Sequence, residues 1–237
     1  MSRARKRRAP RAGLTRDLIL RAALEFADAH GIDALKMREL GQVLGFEAMA
    51  LYRHVANKDA ILDGILDLVL SEVEPAPASA DWAGAIRRSA ISLHEALDRH
   101  PWAAGILTTS AGLRPARLTF MESLLTHLEQ AGFPDEVCYH AYHVLDAYIV
   151  GFSLWHAGHS LSAAEQAAVV ERLAQEVSFD DYPRLVKHGD QHVTAGPHHD
   201  VSAFEIGLDL MLEGLKEMHK TARSTTTKRV AKRPREV

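Results

Sequence analysis

Gly41 and Gly45 restrict this chain's folding more than any other residues. Met37, Leu40, Val43 and Leu44 recur at helical spacing and form the apolar face of a short helix, which Gly45 closes with a tight turn. Leu51, Tyr52 and Val55 belong to a further short helix, and Gly41 is small where the two must approach. Leu40, Leu44 and Leu51 supply the buried joint, which is the spacing of a helix-turn-helix. An ordinary helical hairpin would share this geometry, so the residue identities matter. Tyr52, His54 and Lys58 can donate to phosphate oxygens from one edge, and Arg38 can reach a phosphate or a guanine edge.

The remainder reads as helical almost throughout. Thr15 caps a first helix in which Leu18, Ile19, Ala22, Ala23, Phe26 and Ala27 share a face, and Gly31 ends it. Asn57 is placed to cap a fourth helix with Asp59 in its first turn and Ile61, Leu62, Ile65, Leu66, Leu68 and Val69 burying more than one face. Pro75, Pro77 and the small residues up to Ser79 break the pattern. Longer helices are expected over residues 82–99, 117–131, 135–157, 163–177 and 202–220. Residues 178–200, rich in Gly, Pro, His and Asp, read as a long loop with one short helix near 184–188. The fold class is therefore all-α. A basic flexible arm (1–14) precedes a helix-turn-helix domain with its linking helix (15–74), then a larger helical domain (75–220) and a disordered basic tail (221–237).

Charge is divided along the chain. Residues 1–60 carry 12 basic against 7 acidic side chains, whereas residues 61–220 carry 10 against 23. A basic head on an acidic body fits a polyanion partner for the head alone. Cys138 is the only cysteine, which rules out an intrachain disulfide or a cysteine-based zinc finger and favours a reducing compartment. No apolar run is long enough to span a bilayer, so a cytoplasmic protein with no membrane partner is expected.

The run Leu51-Tyr52-Arg53-His54-Val55, followed by Asn57-Lys58 and Ile61-Leu62, resembles the signature of the TetR family of bacterial transcriptional regulators. Leu40-Gly41, Gly45 and the segment from Ile19 to Gly31 match as well. Gly132-Phe133, Gly151 and the stretch from Phe204 to Leu215 are similar to the C-terminal domain of the tetracycline-repressor subgroup. The resemblance implies a homodimer that sets one recognition helix per subunit into successive major grooves of a palindromic double-stranded operator. It implies DNA contacts at Arg38, Tyr52, His54 and Lys58, with Ala48, Met49 and Ala50 facing the bases. Those three cannot hydrogen-bond base edges, so readout there would rest on thymine methyls and shape. Leu107 and Trp155 stand where the tetracycline repressor has metal-linked His and Glu, which argues against a magnesium-tetracycline inducer.

The implied output is ligand-responsive repression, with a small-molecule effector and no cofactor or catalysis. Leu93, Trp102, Leu107, Met121, Leu124, Tyr139, Tyr142, His143, Asp146 and Trp155 combine apolar and aromatic surface with a few polar groups and are the candidate pocket. Asp146 is costly to bury alone and suggests a polar cavity or a pairing with His143. Phe204, Leu208, Met211, Leu212 and Leu215 form an apolar stripe that the resemblance assigns to the dimer interface. The pairs His140 with His143 and His156 with His159 have metal-compatible spacing, but no accompanying cysteines or HExxH pattern, and read as structural or exposed. The alternatives are a regulator without a small-molecule inducer and, with no nucleophile or cofactor fingerprint in its favour, a helical enzyme. The arm bearing Arg3, Arg5, Lys6, Arg7, Arg8 and Arg11 adjoins the reader and can enter a minor groove. Deleting residues 1–11 is expected to lower operator affinity and flatten its dependence on salt, measured by titrations at several ionic strengths.

Overall fold

The computed structural model describes residues 13–76, 81–109, 114–159, 163–195 and 199–231. Arg5, Arg8 and the rest of the basic arm before Gly13 lie outside the described residues. All regular structure among the described residues is helical: α1 (Arg16–His30), α2 (Met37–Leu44), α3 (Ala48–Leu51), α4 (Lys58–Ser71), α5 (Trp82–Arg99), α6 (Pro101–Thr109), α7 (Pro115–Gln130), α8 (Asp135–His159), α9 (Ala163–Glu176), α10 (Pro183–Ala195) and α11 (His199–Ala231). The chain divides into two compact units between Val69 and Leu70, within α4 rather than after it.

In the first unit the expected caps are in place. Thr15 Oγ1 accepts from the Leu18 amide at 3.2 Å, and Asn57 Oδ1 accepts from the Ala60 amide at 2.8 Å. Gly45 is left-handed at φ 73°, and the Phe46 amide donates back to the Gly41 carbonyl at 2.9 Å. A Cβ on Gly41 would lie 2.8 Å from the Phe46 carbonyl oxygen, so the turn needs glycine there. Leu35, Leu40, Leu51, Ile61 and Ile65 close the core beneath it.

In the second unit α8 packs against α5, α6, α7 and α11. Three features exceed or contradict the sequence expectation. Helix α6 is additional; Pro101 opens it at a position where the missing amide is harmless. The segment read as a long loop instead holds a short 3-10 turn (Phe179–Asp181) and the full helix α10, although it contains Gly189. α11 continues to Ala231, into the stretch read as a disordered tail.

Phe204 of α11 is fully buried between two rings. His94 stacks on one side with centroids 3.9 Å apart, and Tyr148 on the other at 5.4 Å. Tyr148 donates its hydroxyl to the Phe204 carbonyl at 2.9 Å, and His94 Nδ1 lies 2.8 Å from Ser153 Oγ. Arg87 of α5 reaches Glu205 at 2.5 Å and Asp209 at 2.7 Å, tying one turn of α11 to α5. Gly207 admits the Tyr148 phenol where a Cβ would collide with it.

Burial pushes the His94 imidazole below its usual pKa, with a smaller opposing pull from Asp98 and a further push from His156. The fold therefore favours the neutral ring. Its contribution is complete above the unfolded-state value of about 6.5 and is lost as pH falls from there through the folded-state value. Thermal unfolding should show a Tm that drops between pH 7 and 5, and His94→Gln should shallow that drop; an unchanged slope would contradict the assignment.

Candidate DNA-reading surface and effector domain

The turn at Gly45 aims a small apolar tip outward. Met49 is 74% exposed while Leu51 and Val55 beneath it are buried, and Ala48 and Ala50 are half-buried. Regular α-helix covers only Ala48–Leu51, but helical turns continue as the His54 and Val55 amides donate to the Leu51 carbonyl at 2.9 and 3.1 Å. Tyr52, Arg53 and His54 are exposed on this extension, and Lys58 is half-buried at the start of α4. Arg38 is exposed in the first turn of α2. None of Arg38, Arg53 and Lys58 has an ion-pair partner among the described residues, so their charge is available to an external anion. The sequence pattern does not by itself single out Arg53, although it stands between Tyr52 and His54.

The pocket expected in the second unit is only partly assembled. Leu93, Leu124 and Tyr142 are buried, and Trp102, Leu107, Met121 and Asp146 are half-buried. Tyr139 (60% exposed), His143 and Trp155 (46% exposed) lie on the outer side of α8 instead. None of the ten lines either of two cavities in this unit. One, about 240 Å³, is lined by Leu70, Ser71, Val73, Pro75, Ala116, Thr119 and Phe120. The other, about 50 Å³, is lined by His94, Leu97, Asp98, Pro101, Ser153, His156 and Ala157.

The acid within α8 finds a partner on another helix. Asp146 pairs with Arg117 of α7, the two side chains 23% and 12% exposed, and not with His143. Position 143 falls on the outer side, where its Nδ1 lies 2.7 Å from the Tyr139 carbonyl one turn back. The Arg117 guanidinium also sits 5.7 Å above the Phe120 ring. Burial raises the Tyr142 phenol above its usual pKa, Arg117 lowers it and Asp146 adds to the rise. His159 repeats the turn-back geometry with the Trp155 carbonyl at 2.7 Å, and among the described residues no three His, Cys, Asp or Glu converge as a metal site.

The apolar stripe assigned to dimer contact is largely spent within the subunit. Phe204, Leu208 and Leu212 are buried among its own helices, with Met211 and Leu215 half-buried. α11 has a second apolar face, and that one is exposed: Ile206 at 59%, Leu210 at 70% and Met218 at 51%. On α8, Val144 (53%) and Leu154 (41%) are exposed likewise. A helix that is apolar on two sides does not reveal from its own sequence which side its neighbours cover.

Comparison with known proteins supplies the context. Residues 19–65 match the family model "Bacterial regulatory proteins, tetR family", and residues 74–219 match "Tetracyclin repressor-like, C-terminal domain". The chain is 30% identical over 227 residues to the HTH-type transcriptional repressor DrrR1 of Streptomyces coeruleorubidus, covering 90% of this chain and 81% of the relative. It is 30% identical over 211 residues to the class A tetracycline repressor protein from transposon 1721 of Escherichia coli, covering 87% and 92%. ActR from Streptomyces coelicolor in complex with actinorhodin superposes with a TM-score of 0.69 at 30% identity over 88% of this chain and 99% of that one. BioQ with its double-stranded DNA operator gives 0.57 at 27% identity over 68% and 99%. With both halves matched in sequence and the helical architecture shared, the chain belongs to the TetR family of bacterial transcriptional regulators.

Proposed function

We propose that this chain is a cytoplasmic, non-catalytic repressor that binds a palindromic operator as a homodimer and is released by a small-molecule effector. The observation that carries the reading is the set of exposed Arg38 and Arg53 and half-buried Lys58 around a solvent-facing α3, none of them in an ion pair among the described residues. Relatives solved with a DNA operator and with actinorhodin support the two kinds of partner. No helix among the described residues is long and apolar enough to cross a membrane.

In this reading Arg38, Tyr52, Arg53, His54 and Lys58 hold phosphates, and Arg5 and Arg8 add groove contacts from the arm. Ala48, Met49 and Ala50 meet the bases through methyl contact and groove shape. The exposed faces of α8 and α11, with Val144, Leu154, Ile206 and Leu210, form the subunit contact. Leu107 and Trp155 offer no metal ligand, so the effector binds without magnesium.

Selection of bound sequences from random DNA should return a palindrome; recovery of no specific sequence would defeat the proposal. On that operator Lys58→Ala should weaken binding to matched and mismatched sites alike and reduce the salt slope by about 1. Leu210→Glu should convert a dimeric mass in light scattering to that of one chain and abolish tight operator binding, leaving the helical circular dichroism unchanged.

A further inference from the structure

His94 sits where α5, α8 and α11 meet, and it is buried. One face of its ring stacks on Phe204 of α11 at 3.9 Å between centroids, and the Phe152 ring of α8 stands edge-on to it at 5.6 Å. Beside it is the cavity of about 50 Å³, whose polar lining is His94, Asp98, Ser153 and His156. That space has room for about one water and none for a hydrated counter-ion.

Among the described residues, the titratable and charged groups that face His94 are Asp98, one turn further along α5, and His156 of α8. Those two are already paired: His156 Nε2 lies 3.3 Å from Asp98 Oδ1, and the His94 and His156 rings are 6.4 Å apart. From α11, Glu205 and Asp209 turn to Arg87 instead, and α6 contributes Pro101 to the lining. The Ser153 hydroxyl, 2.8 Å from His94 Nδ1, can donate to a bare nitrogen or accept from a protonated one, so it does not select a state. One carboxylate therefore balances one imidazolium in this cluster, and a second proton, on His94, adds net charge to an enclosed space. The Phe204 face returns a small cation–π attraction, less than the hydration that the ring forgoes. Burial holds the His94 imidazole below its usual pKa, with Asp98 pulling the other way and His156 adding to the fall.

Phe204 is gripped between His94 of α5 and Tyr148 of α8, and the exposed apolar face of α11 begins two residues later at Ile206. A charged His94 regains water only by leaving that grip, which frees α11 to turn and carries Ile206 and Leu210 out of register with Val144 and Leu154 of α8. We propose that His94 is a proton-operated catch on the α11 face, and that its protonation dissociates the homodimer while each subunit stays folded. The inference rests on the reading of the exposed faces of α8 and α11 as the subunit contact. It adds a signal, acidification, and the single side chain through which that signal reaches the contact.

The measurement is the dissociation constant of the full-length dimer, by sedimentation of a dilution series at fixed ionic strength between pH 7 and 5, with helical circular dichroism recorded alongside. A ring that titrates near 6.5 when released and lower when gripped should weaken the dimer as pH falls, by about tenfold for each subunit or about a hundredfold in all. The helical signal should not change. His94→Gln keeps a partner for Ser153 but takes up no proton, and should lose most of the effect. Asp98→Asn, at an exposed position, removes the compensating carboxylate and should deepen the loss at pH 5; a shallower loss would place the proton on the pair Asp98 with His156 and overturn the assignment. If His94→Gln does not fold, Asp98→Asn decides alone. A dissociation constant that ignores pH, a full loss retained in His94→Gln, or dissociation accompanied by loss of helix would overturn the catch and leave the homodimer reading intact. The mass of one chain at pH 7 would defeat that reading itself.

Discussion

The effector domain depends on one helix serving four neighbours. α8 is 25 residues long and buries Cys138, Ala141, Tyr142, Leu145, Ile149 and Ser153 against α5, α6, α7 and α11. Such a helix has no spare inner surface, so every polar group it turns inward must meet a partner supplied by another helix. Asp146 meets Arg117, Ser153 meets His94, and Tyr148 meets the backbone of α11. These pairings set the rotation and height of the surrounding helices more narrowly than apolar packing would, because each tolerates only a few tenths of an ångström. The partly exposed Arg87 pairs add orientation more than stability.

Much of the architecture was legible because local signals agreed with one another. Thr15, Asn57, Gly31 and Gly45 end or begin helices where their backbone chemistry demands it, and the span 82–99 is reproduced by α5 with Asp81 as its cap. The misses have local causes too. Pro101 reads as a stop until its place at the first helical position is seen, and Gly105, Thr108 and Thr109 weaken the periodic signal of α6. Gly189 and the histidines around α10 gave that stretch the composition of a loop. Among the described residues of α9 and α10, Val170, Leu173 and Leu185 remain exposed.

Site legibility followed a different rule. Residues 48–58 are contiguous, and their exposure could be judged from one short pattern. The effector domain draws its groups from helices far apart in sequence; Asp146 and its partner Arg117 are 29 residues apart. A spacing rule on one helix can suggest His143 as a neighbour but cannot show that another helix arrives first. The same limit hid the cavity at the end of α4, whose lining comes from segments some 45 residues apart and includes none of the large aromatics that drew attention.

The turn that needs glycine at 41 has a consequence for how this chain can change. Its stability is vested in Gly41, Gly45, Leu40 and Leu51, while Met49 and its alanine neighbours contribute little to the core beneath. Substitutions at the exposed Met49 therefore carry little structural penalty. Under the proposed function, retargeting at that position and folding would be separately inherited traits.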